Sequence, residues 1–455
     1  MTPRADLMVR GGHLVLPDEV RRADLAVRDG AILALVEPGD TSYSADEEID
    51  ARGLHVLPGL VDAHVHLNDP GHAEREGYLT GTRAAAAGGI TTIIDMPLSC
   101  YPATVSLEAL EQKRRVADGA AIVDYGHWGG LVTDNVAAMA GLHEAGVLGF
   151  KAFMAETGVE DFPRATDGVL LAGLREAARL GTVVLVHAEN EEIAQYYTGR
   201  LLAQGRRDPL AWAEGRPEVV EVEGIRCALY LAHLAGAYVH IVHISTPLGL
   251  DAVAEARARG QRLSAETCPQ YLTLCDEDLA RRGAYAKCGP PLRPRSTVEG
   301  MWARVLAGEI DSIASDHSPS VTSDKADFAD DIWAAWGGVP GLQTMLPLLL
   351  SEGVHGRHLP LPHLARMTAS NPARQFGLYP RKGALRPGSD ADLAIVDLEG
   401  SWTVRVDDLF QKNRHTPYEG MTLHGTVERT LVRGVTVYDR GAFPAPAGHG
   451  RLLRR

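Results

Sequence analysis

The sequence predicts an α/β fold, a parallel (β/α)8 barrel accompanied by a small β domain that both ends of the chain build together. Strand-like and helix-like segments alternate through the middle of the chain, which is typical of parallel sheets assembled from βα units. Both ends carry short strand-like segments instead. The length of 455 residues exceeds one average domain but suits a barrel with an appendage.

The β-rich ends are divided by turn signals. Near the start, Gly11-Gly12 and Asp29-Gly30 are predicted turns between four strands, at residues 7–9, 13–16, 24–27 and 31–36. Near the end, Arg433-Gly434 is a predicted turn among strands at 391–396, 402–406, 423–427 and 429–432. Since apolar runs at both ends need covering, we expect one domain made of residues 1–55 and 383–455, rather than two separate extensions. The barrel would take residues 56–382.

The middle of the chain supplies eight strand candidates, at residues 60–66, 90–96, 122–127, 148–153, 183–187, 239–244, 262–266 and 313–316. Helical segments lie between them, at residues 80–87, 107–117, 170–180, 225–235 and 250–259. Eight strands fit a barrel better than a doubly wound sheet. The polar stretch 318–331 is predicted to be a long loop on the active side.

The first of these strands ends in two histidines, His64 and His66. Residues two apart on a strand face the same side, so both imidazoles point into the barrel if Val61, Ala63 and Val65 face the helices. Paired imidazoles at the carboxyl end of a barrel strand make a natural metal clamp. A pair of hydrogen-bonded core histidines is the alternative.

Other strands also end in polar residues. Lys151 closes a buried apolar run and must pair, shift its pKa, be modified, or extend to the surface. His187 ends the fifth strand and Asp316 the eighth. His240 and His243 are three apart and face opposite sides, and the position nearer the carboxyl end favours His243, leaving His240 structural. Barrel enzymes place their chemistry at these strand ends.

This set of residues resembles the amidohydrolase superfamily, in its cyclic amidohydrolase branch of dihydroorotases, hydantoinases and allantoinases. The resemblance covers nearly the whole chain. It implies a distorted TIM (β/α)8 barrel with a small β-sandwich formed by both termini. It also implies two divalent metal ions, with Zn²⁺ expected, and six ligands: His64, His66 and Asp316 on one ion, His187 and His243 on the other, and carboxylated Lys151 bridging both.

The implied chemistry is hydrolysis of a cyclic amide. A carbamate on Lys151 would replace a repelling ammonium by two anionic oxygens. A hydroxide bridging the metals would attack a ring carbonyl, because metal ions lower the pKa of bound water. In resembling enzymes a carboxylate matching Asp316 acts as general base and then general acid. The alternative is that Asp316 is a ligand without a role in proton transfer.

The choice among cyclic amides depends on what surrounds the ligand positions. In dihydroorotase-like sequences an Arg follows the second histidine of the first barrel strand by two residues, where this chain has Asn68. Those sequences also carry an Asn directly after Met-Pro, where this chain has Leu98. The missing Arg argues against a ring carboxylate, unless Arg75 or Arg83 substitutes. Hydantoinase-like sequences place a Tyr shortly after the carboxylated Lys, and residues 151–157 contain none.

Allantoinase-like features fit better, in segments 69–71, 76–78, 81–86, 95–98, 129–132, 287–293, 315–319 and 335–343. Ser99 and Ser320 depart from the Asn and Cys often found there. We therefore predict opening of the hydantoin ring of allantoin to allantoate. The predicted substrate contacts are Asn68, Gly289, Ser318 and Gly337. The glycines could instead only make tight turns, and Ser318 could cap or turn the chain. His72, His127 and His317 either line the pocket or are structural.

Composition limits the partners. The net charge of −14 argues against nucleic acid. The sequence shows no signal peptide and no apolar run of the roughly 20 residues that cross a bilayer, so we expect no membrane partner. Five cysteines without a CxxC pair favour a reduced, cytoplasmic compartment. The resemblance implies a homo-oligomer, a tetramer, acting on a small molecule.

Two alternatives stay open. Within the class, the chain could be a hydantoinase or dihydropyrimidinase, or dihydroorotase-like. Outside it, some relatives lose metal ligands and serve as noncatalytic scaffolds. All six ligand positions are intact here, which argues against the scaffold.

Overall fold

A computed structural model describes residues 4–454. Its strands are β1 (Arg4–Val15), β2 (Val20–Arg28), β3 (Ala31–Val36), β4 (Ser44–Asp50), β5 (His55–Pro58), β6 (Leu60–Val65), β7 (Ile90–Asp95), β8 (Asp124–His127), β9 (Gly129–Gly130), β10 (Phe150–Phe153), β11 (Val183–His187), β12 (Tyr238–Ile241), β13 (Leu263–Thr267), β14 (Ser312–Ile313), β15 (Leu393–Thr403), β16 (Thr422–Val432) and β17 (Val435–Asp439).

The α-helices are α1 (Tyr78–Ala87), α2 (Leu107–Ala120), α3 (Met139–Glu144), α4 (Asp167–Leu180), α5 (Glu191–Ala203), α6 (Pro209–Gly215), α7 (Glu218–Ala235), α8 (Pro247–Ala258), α9 (Gln270–Thr273), α10 (Asp276–Arg282), α11 (Arg295–Leu306), α12 (Ser323–Ala326), α13 (Met345–Leu348), α14 (Leu361–Ala365) and α15 (Asn371–Gln375). Short 3₁₀ turns occupy Val136–Ala138, Gly283–Ala286 and Val406–Asp408, and π-helical turns occupy Leu349–His355 and Arg366–Ser370.

Strands β6 to β14 form a closed ring of parallel strands. β6, β7 and β8 pair in order, β9 pairs with β10, and β10 to β14 pair in order. Only Trp128 separates β8 from β9, so the two act as one strand position. Beyond β14, His317 bridges to Val65, and the His66 amide donates to the His317 carbonyl at 2.8 Å. The ring therefore has eight strand positions, as many as the sequence predicts.

Helices cover the outside of the ring through amphipathic spacing. In α7, Ile225, Ala228, Leu229 and Ala232 are buried at intervals of three and four residues, which places them on one face. Some of the longer helices begin at capping side chains: at the start of α2, Ser106 accepts a hydrogen bond from the Ala109 amide, whereas α7 follows Pro217 without a side-chain cap. Among the described helices, none combines the length and apolar character required to cross a membrane.

Both ends of the chain join in a second sheet, which we call the terminal sheet. Its strand order is β17-β16-β15-β5-β1-β2-β3, with β4 paired to β1. The antiparallel pairing of β5 with β15 connects the N-terminal and C-terminal contributions. The predicted turns at Asp29-Gly30 and Arg433-Gly434 are present.

The predicted turn at Gly11-Gly12 is wrong. β1 runs through these residues as one strand, with a bulge between Val9 and Gly12 in its pairing with β2. Gly11 has φ +72°, which glycine adopts without a steric cost, and the buried Asp24 carboxylate accepts its amide at 2.7 Å. The glycine pair thus absorbs one extra residue instead of reversing the chain.

Candidate active site

A cavity of about 470 Å³ opens at the carboxyl ends of the ring strands, a size typical of small-molecule sites. Five of the predicted metal ligands line it: His64, His66, His187, His243 and Asp316. They come from positions far apart in the sequence, at the ends of β6, β11, β12 and β14. The cavity is therefore assembled by the closure of the ring.

His64, His66 and Asp316 form the first group of candidate ligands. Asp316 Oδ1 lies 3.2 Å from His64 Nε2 and 3.6 Å from His66 Nε2. One ligand atom from each of the three residues falls within 4.8 Å of the others, close enough to share a cation. On the far side of its ring, His64 Nδ1 lies 2.8 Å from the buried Glu266 carboxylate. Glu266 thus fixes the ring so that Nε2 faces the group.

His187 and His243 form the second group. His187 Nδ1 and His243 Nε2 face each other at 2.8 Å, while His187 Nε2 lies 2.8 Å from Glu189 Oε2. Burial lowers the pKa of both imidazoles, and the neighbouring His187 lowers that of His243 further. Both rings are therefore neutral near pH 7, and neutral imidazole is the form that binds metals.

Lys151 lies on β10 and is completely buried. Its Nζ has no hydrogen-bond partner among residues 4–454 and stands 4.9 Å from the Phe153 ring centroid. Burial lowers the pKa of Lys151 to about 8, although Asp316 and Glu266 oppose the shift. The charge of Lys151 in turn lowers the pKa of His64 after the larger effect of burial. A buried amine among candidate ligands, with a substantial neutral fraction near pH 8, is open to modification.

Two of these residues have strained backbones. His243 has φ +40° and Asp316 has φ +46°, in the left-handed region that side chains with a Cβ rarely adopt. Such conformations cost energy and cluster at functional sites. They occur here where the chain leaves a ring strand and turns a polar side chain toward the cavity.

Three of the four predicted substrate contacts line the cavity: Gly289, Ser318 and Gly337. Asn68 is not among the lining residues. Its side chain is buried, and Nδ2 donates to the His66 carbonyl at 3.3 Å. In this position Asn68 supports the chain just beyond His64 and His66, at the end of β6.

Arg75 and Arg83, the two candidates to replace the missing arginine, do not line this cavity. Arg75 stacks on Trp336 at 4.0 Å and faces Asp324 at 3.5 Å. Arg83, on α1, faces the Phe443 ring at 5.3 Å.

His127 and His317 are buried parts of the scaffold, and His72 is partly exposed. Tyr78 Oη lies 3.4 Å from His127 Nδ1, and the Gly341 amide donates to His317 Nδ1 at 3.2 Å. His72 lies 3.3 Å from Glu74. His240 is also satisfied in the core, with Nδ1 2.7 Å from Ser264 Oγ and Nε2 3.3 Å from Glu266 Oε2.

Sequence reasoning missed the carboxylates behind the histidines. Glu189 follows His187 by two residues, just beyond the end of β11, and Glu266 ends the predicted seventh strand. A charge closing a buried strand, the signal used for Lys151, could have found Glu266. Asp62 was also missed: it accepts the His64 amide at 3.1 Å and the Ser315 amide at 3.2 Å. Burial raises the pKa of Asp62 to about 7.

Comparison with known proteins adds a family and relatives. The family model described as "Amidohydrolase family" matches residues 55–437. A protein named "Allantoinase" from Solibacter usitatus (strain Ellin6076) is 45% identical over 450 residues, which is 99% of this chain and 97% of that protein. Another "Allantoinase", from Rubrobacter xylanophilus (strain DSM 9941), is 48% identical over 445 residues, which is 97% of this chain and 96% of that protein.

Solved structures are similar over the same extent. The L-hydantoinase (dihydropyrimidinase) from Arthrobacter aurescens has a TM-score of 0.96 at 37% identity, covering 99% of this chain and 100% of that chain. A dihydropyrimidinase from Brevibacillus agri NCHU1002 has a TM-score of 0.91 at 32% identity, covering 98% of each.

Proposed function

Because the chain belongs to the amidohydrolase family, we propose that it is an allantoinase, which hydrolyses the hydantoin ring of allantoin to give allantoate. One observation carries the chemistry: histidines and a carboxylate from separate strands line one cavity, and the buried amine of Lys151 lies close enough to affect their pKa values. The substrate follows from the relatives named allantoinase, at 45% and 48% identity over nearly the full chain.

The family implies a divalent metal centre, and the residues of this chain fit one. His64, His66 and Asp316 would hold one ion, and His187 and His243 the other. The ions we propose are Zn²⁺, which imidazole and carboxylate ligands suit. When bound, two such cations lower the pKa of water and polarise a carbonyl oxygen.

We further propose that Lys151 carries a carboxyl group and bridges the two ligand groups. The support is its isolation: a buried Nζ without an acceptor lies beside residues that would hold cations. An unmodified ammonium would repel those cations, whereas a carbamate brings two anionic oxygens. The lowered pKa of Lys151 supplies the neutral amine that reacts with carbon dioxide.

Asp316 would move the proton in this reaction. Burial opposes its ionisation, but His64 and His66 keep the pKa of Asp316 below its ordinary value, so it starts as a carboxylate. In that form it accepts a proton from the attacking water as the new C–O bond forms at the ring carbonyl. It then returns that proton to the ring nitrogen as the C–N bond breaks, which leaves a ureido group and a carboxylic acid. The acid releases the second proton of the water to solvent and becomes a carboxylate.

The remaining residues would hold the substrate and the imidazoles. Glu266 and Glu189 orient His64 and His187 through their second ring nitrogens. We propose that the backbone at Gly289 and Gly337 binds the ring, and that Ser318 contacts the ureido arm. These residues line the same cavity as the histidines.

The finer architecture is part of the proposal. We interpret residues 56–382 as a distorted TIM barrel, since β8 is broken from β9 and a single bridge between Val65 and His317 closes the ring. The described parts of residues 1–55 and 383–455 would form a β-sandwich from the terminal sheet, and residues 1–3 and 455 lie outside the described residues. The five cysteines are unpaired among residues 4–454, which supports a cytoplasmic location.

We also propose a homotetramer. Helices α5 and α7 expose large apolar side chains, including Tyr196, Tyr230 and Leu234, which a second copy could cover. Light scattering coupled to size exclusion gives the mass directly. A monomer at micromolar concentration would contradict this part of the proposal.

A substrate panel tests the function. Metal-reconstituted protein is assayed with allantoin, hydantoin, dihydrouracil and dihydroorotate, and Asp316→Asn serves as the inactive control. We expect the highest kcat/KM for allantoin. A preference for hydantoin or dihydrouracil would identify a hydantoinase, and dihydroorotate a dihydroorotase. A folded protein that retains no metal and turns over none of the four would be a scaffold.

A further inference from the structure

Lys325 is a buried lysine outside the set of candidate ligands. It lies on α12 and is fully inaccessible to solvent. Its Nζ donates to three backbone carbonyls: Ala284 at 2.9 Å, Trp336 at 3.1 Å and Gly338 at 2.9 Å. No carboxylate within residues 4–454 forms an ion pair with it. Burying an amino group costs free energy unless it is hydrogen-bonded, and the three carbonyl contacts offset that cost.

A second lysine holds the same segment. Lys287 Nζ donates to the Ala335 carbonyl at 2.6 Å and the Trp333 carbonyl at 3.3 Å, and it lies 4.1 Å from the Trp212 ring centroid. The Lys287 carbonyl accepts the Gly338 amide at 2.8 Å. The two lysines thus bind carbonyls at residues 333, 335, 336 and 338, which fixes the direction of those peptides.

Gly337 stands between the tethered carbonyls of Trp336 and Gly338. It lines the cavity, and neither its N–H nor its C=O has a hydrogen-bond partner among residues 4–454. A Cβ at this position would meet only Lys287 Cε, at 3.9 Å, so the space beside it is open. A donor and an acceptor at the wall of an open cavity match the alternating N–H and C=O groups of a cyclic imide.

We propose that Lys325 is a positioning residue that fixes the Gly337 peptide for hydrogen bonding to the substrate ring, with Lys287 as a second tether. An apolar residue at 325 would leave the Trp336 and Gly338 carbonyls without a donor among residues 4–454 and would release the peptides that flank Gly337, whereas the Ala284 carbonyl would keep the Lys287 amide at 3.1 Å. Lys325 itself does not line the cavity, so its effect passes through the backbone. The identity of the ring rests on the proposed function, whereas the tethering does not.

The test compares Lys325→Met with Lys412→Met, which removes an exposed lysine whose ammonium donates to the Ala73 carbonyl. Steady-state kinetics with allantoin, metal content and backbone hydrogen exchange are measured on each protein. For Lys325→Met we expect KM to rise on the order of tenfold, as for loss of an aligned hydrogen bond. The value of kcat and the metal content should change far less, and exchange should accelerate within residues 333–338. Lys412→Met should match the wild type.

A folded Lys325→Met protein with unchanged KM and unchanged exchange at 333–338 would overturn the proposal. If that variant does not fold, Lys287→Met replaces it, since this lysine tethers the same segment from the cavity side. The same rise in KM and local acceleration of exchange are expected, and their absence contradicts the proposal. If the wild type does not hydrolyse allantoin, the proposed function fails, while the exchange data still decide whether the lysines hold the segment.

Discussion

At the scale of single residues, the candidate site depends on which ring nitrogen each histidine presents. Glu266 lies 2.8 Å from His64 Nδ1 and Glu189 lies 2.8 Å from His187 Nε2. His64 therefore presents Nε2 to the cavity, whereas His187 presents Nδ1. Residue type alone does not specify this choice, because both nitrogens can bind a metal. The buried carboxylate behind each ring decides it.

Glu266→Gln should weaken metal retention. The amide keeps the size of the side chain but loses the charge that holds His64 and His240. We expect metal affinity to fall about 10–100-fold, the usual effect of removing such an orienting partner. Competition with a chelator measures the affinity. Glu255→Gln, on the outer helix α8, is the matched control and should retain metal like the wild type, and wild-type affinity in Glu266→Gln would contradict the orienting role.

Lys151→Ala should abolish activity. The substitution removes the proposed bridging group and leaves a space that a short carboxylic acid can enter. We expect formate or acetate to restore part of the activity, measured as allantoate formation with the metal content determined in parallel. Full activity without any added acid would show that Lys151 is not a bridge.

At the scale of elements, the ring supplies rigid strands and the loops after them supply the chemistry. Two strand ladders stop just before a candidate ligand: β12 ends at Ile241, before His243, and β14 ends at Ile313, before Asp316. The chain then turns sharply, which accounts for the positive φ of His243 and Asp316. The loop that ends at Gly338 packs closely against Ser318, because a Cβ at residue 338 would lie 2.5 Å from Ser318 Oγ.

Gly338→Ala should therefore impair substrate binding. Its φ of +139° is one that an L-residue rarely adopts, and the new methyl would collide with Ser318. We expect a higher KM for allantoin and a lower melting temperature. Gly199→Ala, in the exposed middle of α5 with no atom within 4 Å of the new Cβ, should stabilise the protein by about 1 kcal/mol. Equal effects of the two substitutions on KM would count against the tight packing at Gly338.

At the scale of the whole molecule, a buried charge cluster joins the ring to the terminal sheet. Lys382 Nζ contacts Asp124 at the start of β8, and it lies 2.7 Å from Asp392 beside β15. Arg433, in the turn between β16 and β17, also pairs with Asp124. Removing one partner from such a cluster leaves an uncompensated buried charge.

Lys382→Met should destabilise the fold by about 3–5 kcal/mol, because Asp124 and Asp392 lose their shared cation. The three aspartates around it raise the pKa of Lys382 above its ordinary value despite burial. Because the pKa of Lys382 is higher in the folded protein than in the unfolded chain, its ion pairs stabilise the fold fully below the unfolded pKa of 10.5. This contribution is lost only as the pH rises through the pKa of Lys382 in the folded protein. Urea denaturation should thus show the same deficit at pH 6 and pH 9, and exposed Lys412→Met should show none.

The sequence by itself determined the class of fold and the candidate ligands. Strand periodicity and helical spacing are local properties, and a polar residue closing an apolar strand is visible without coordinates, as with His187 and Asp316. At Gly11-Gly12 the sequence predicts a turn where the structure has a bulge, because a glycine pair permits both and only the pairing of β1 with β2 selects between them.

Only the tertiary structure decided what lies behind and between those ligands. Glu266 meets His64 across 202 positions of sequence, and Lys325 meets Gly338 through a loop whose path no local pattern specifies. Asn68, predicted at the cavity, turns its amide to the His66 carbonyl instead. Contacts of this kind depend on ring closure and loop packing. They join residues far apart in the sequence, and the local sequence around each residue does not specify its partner.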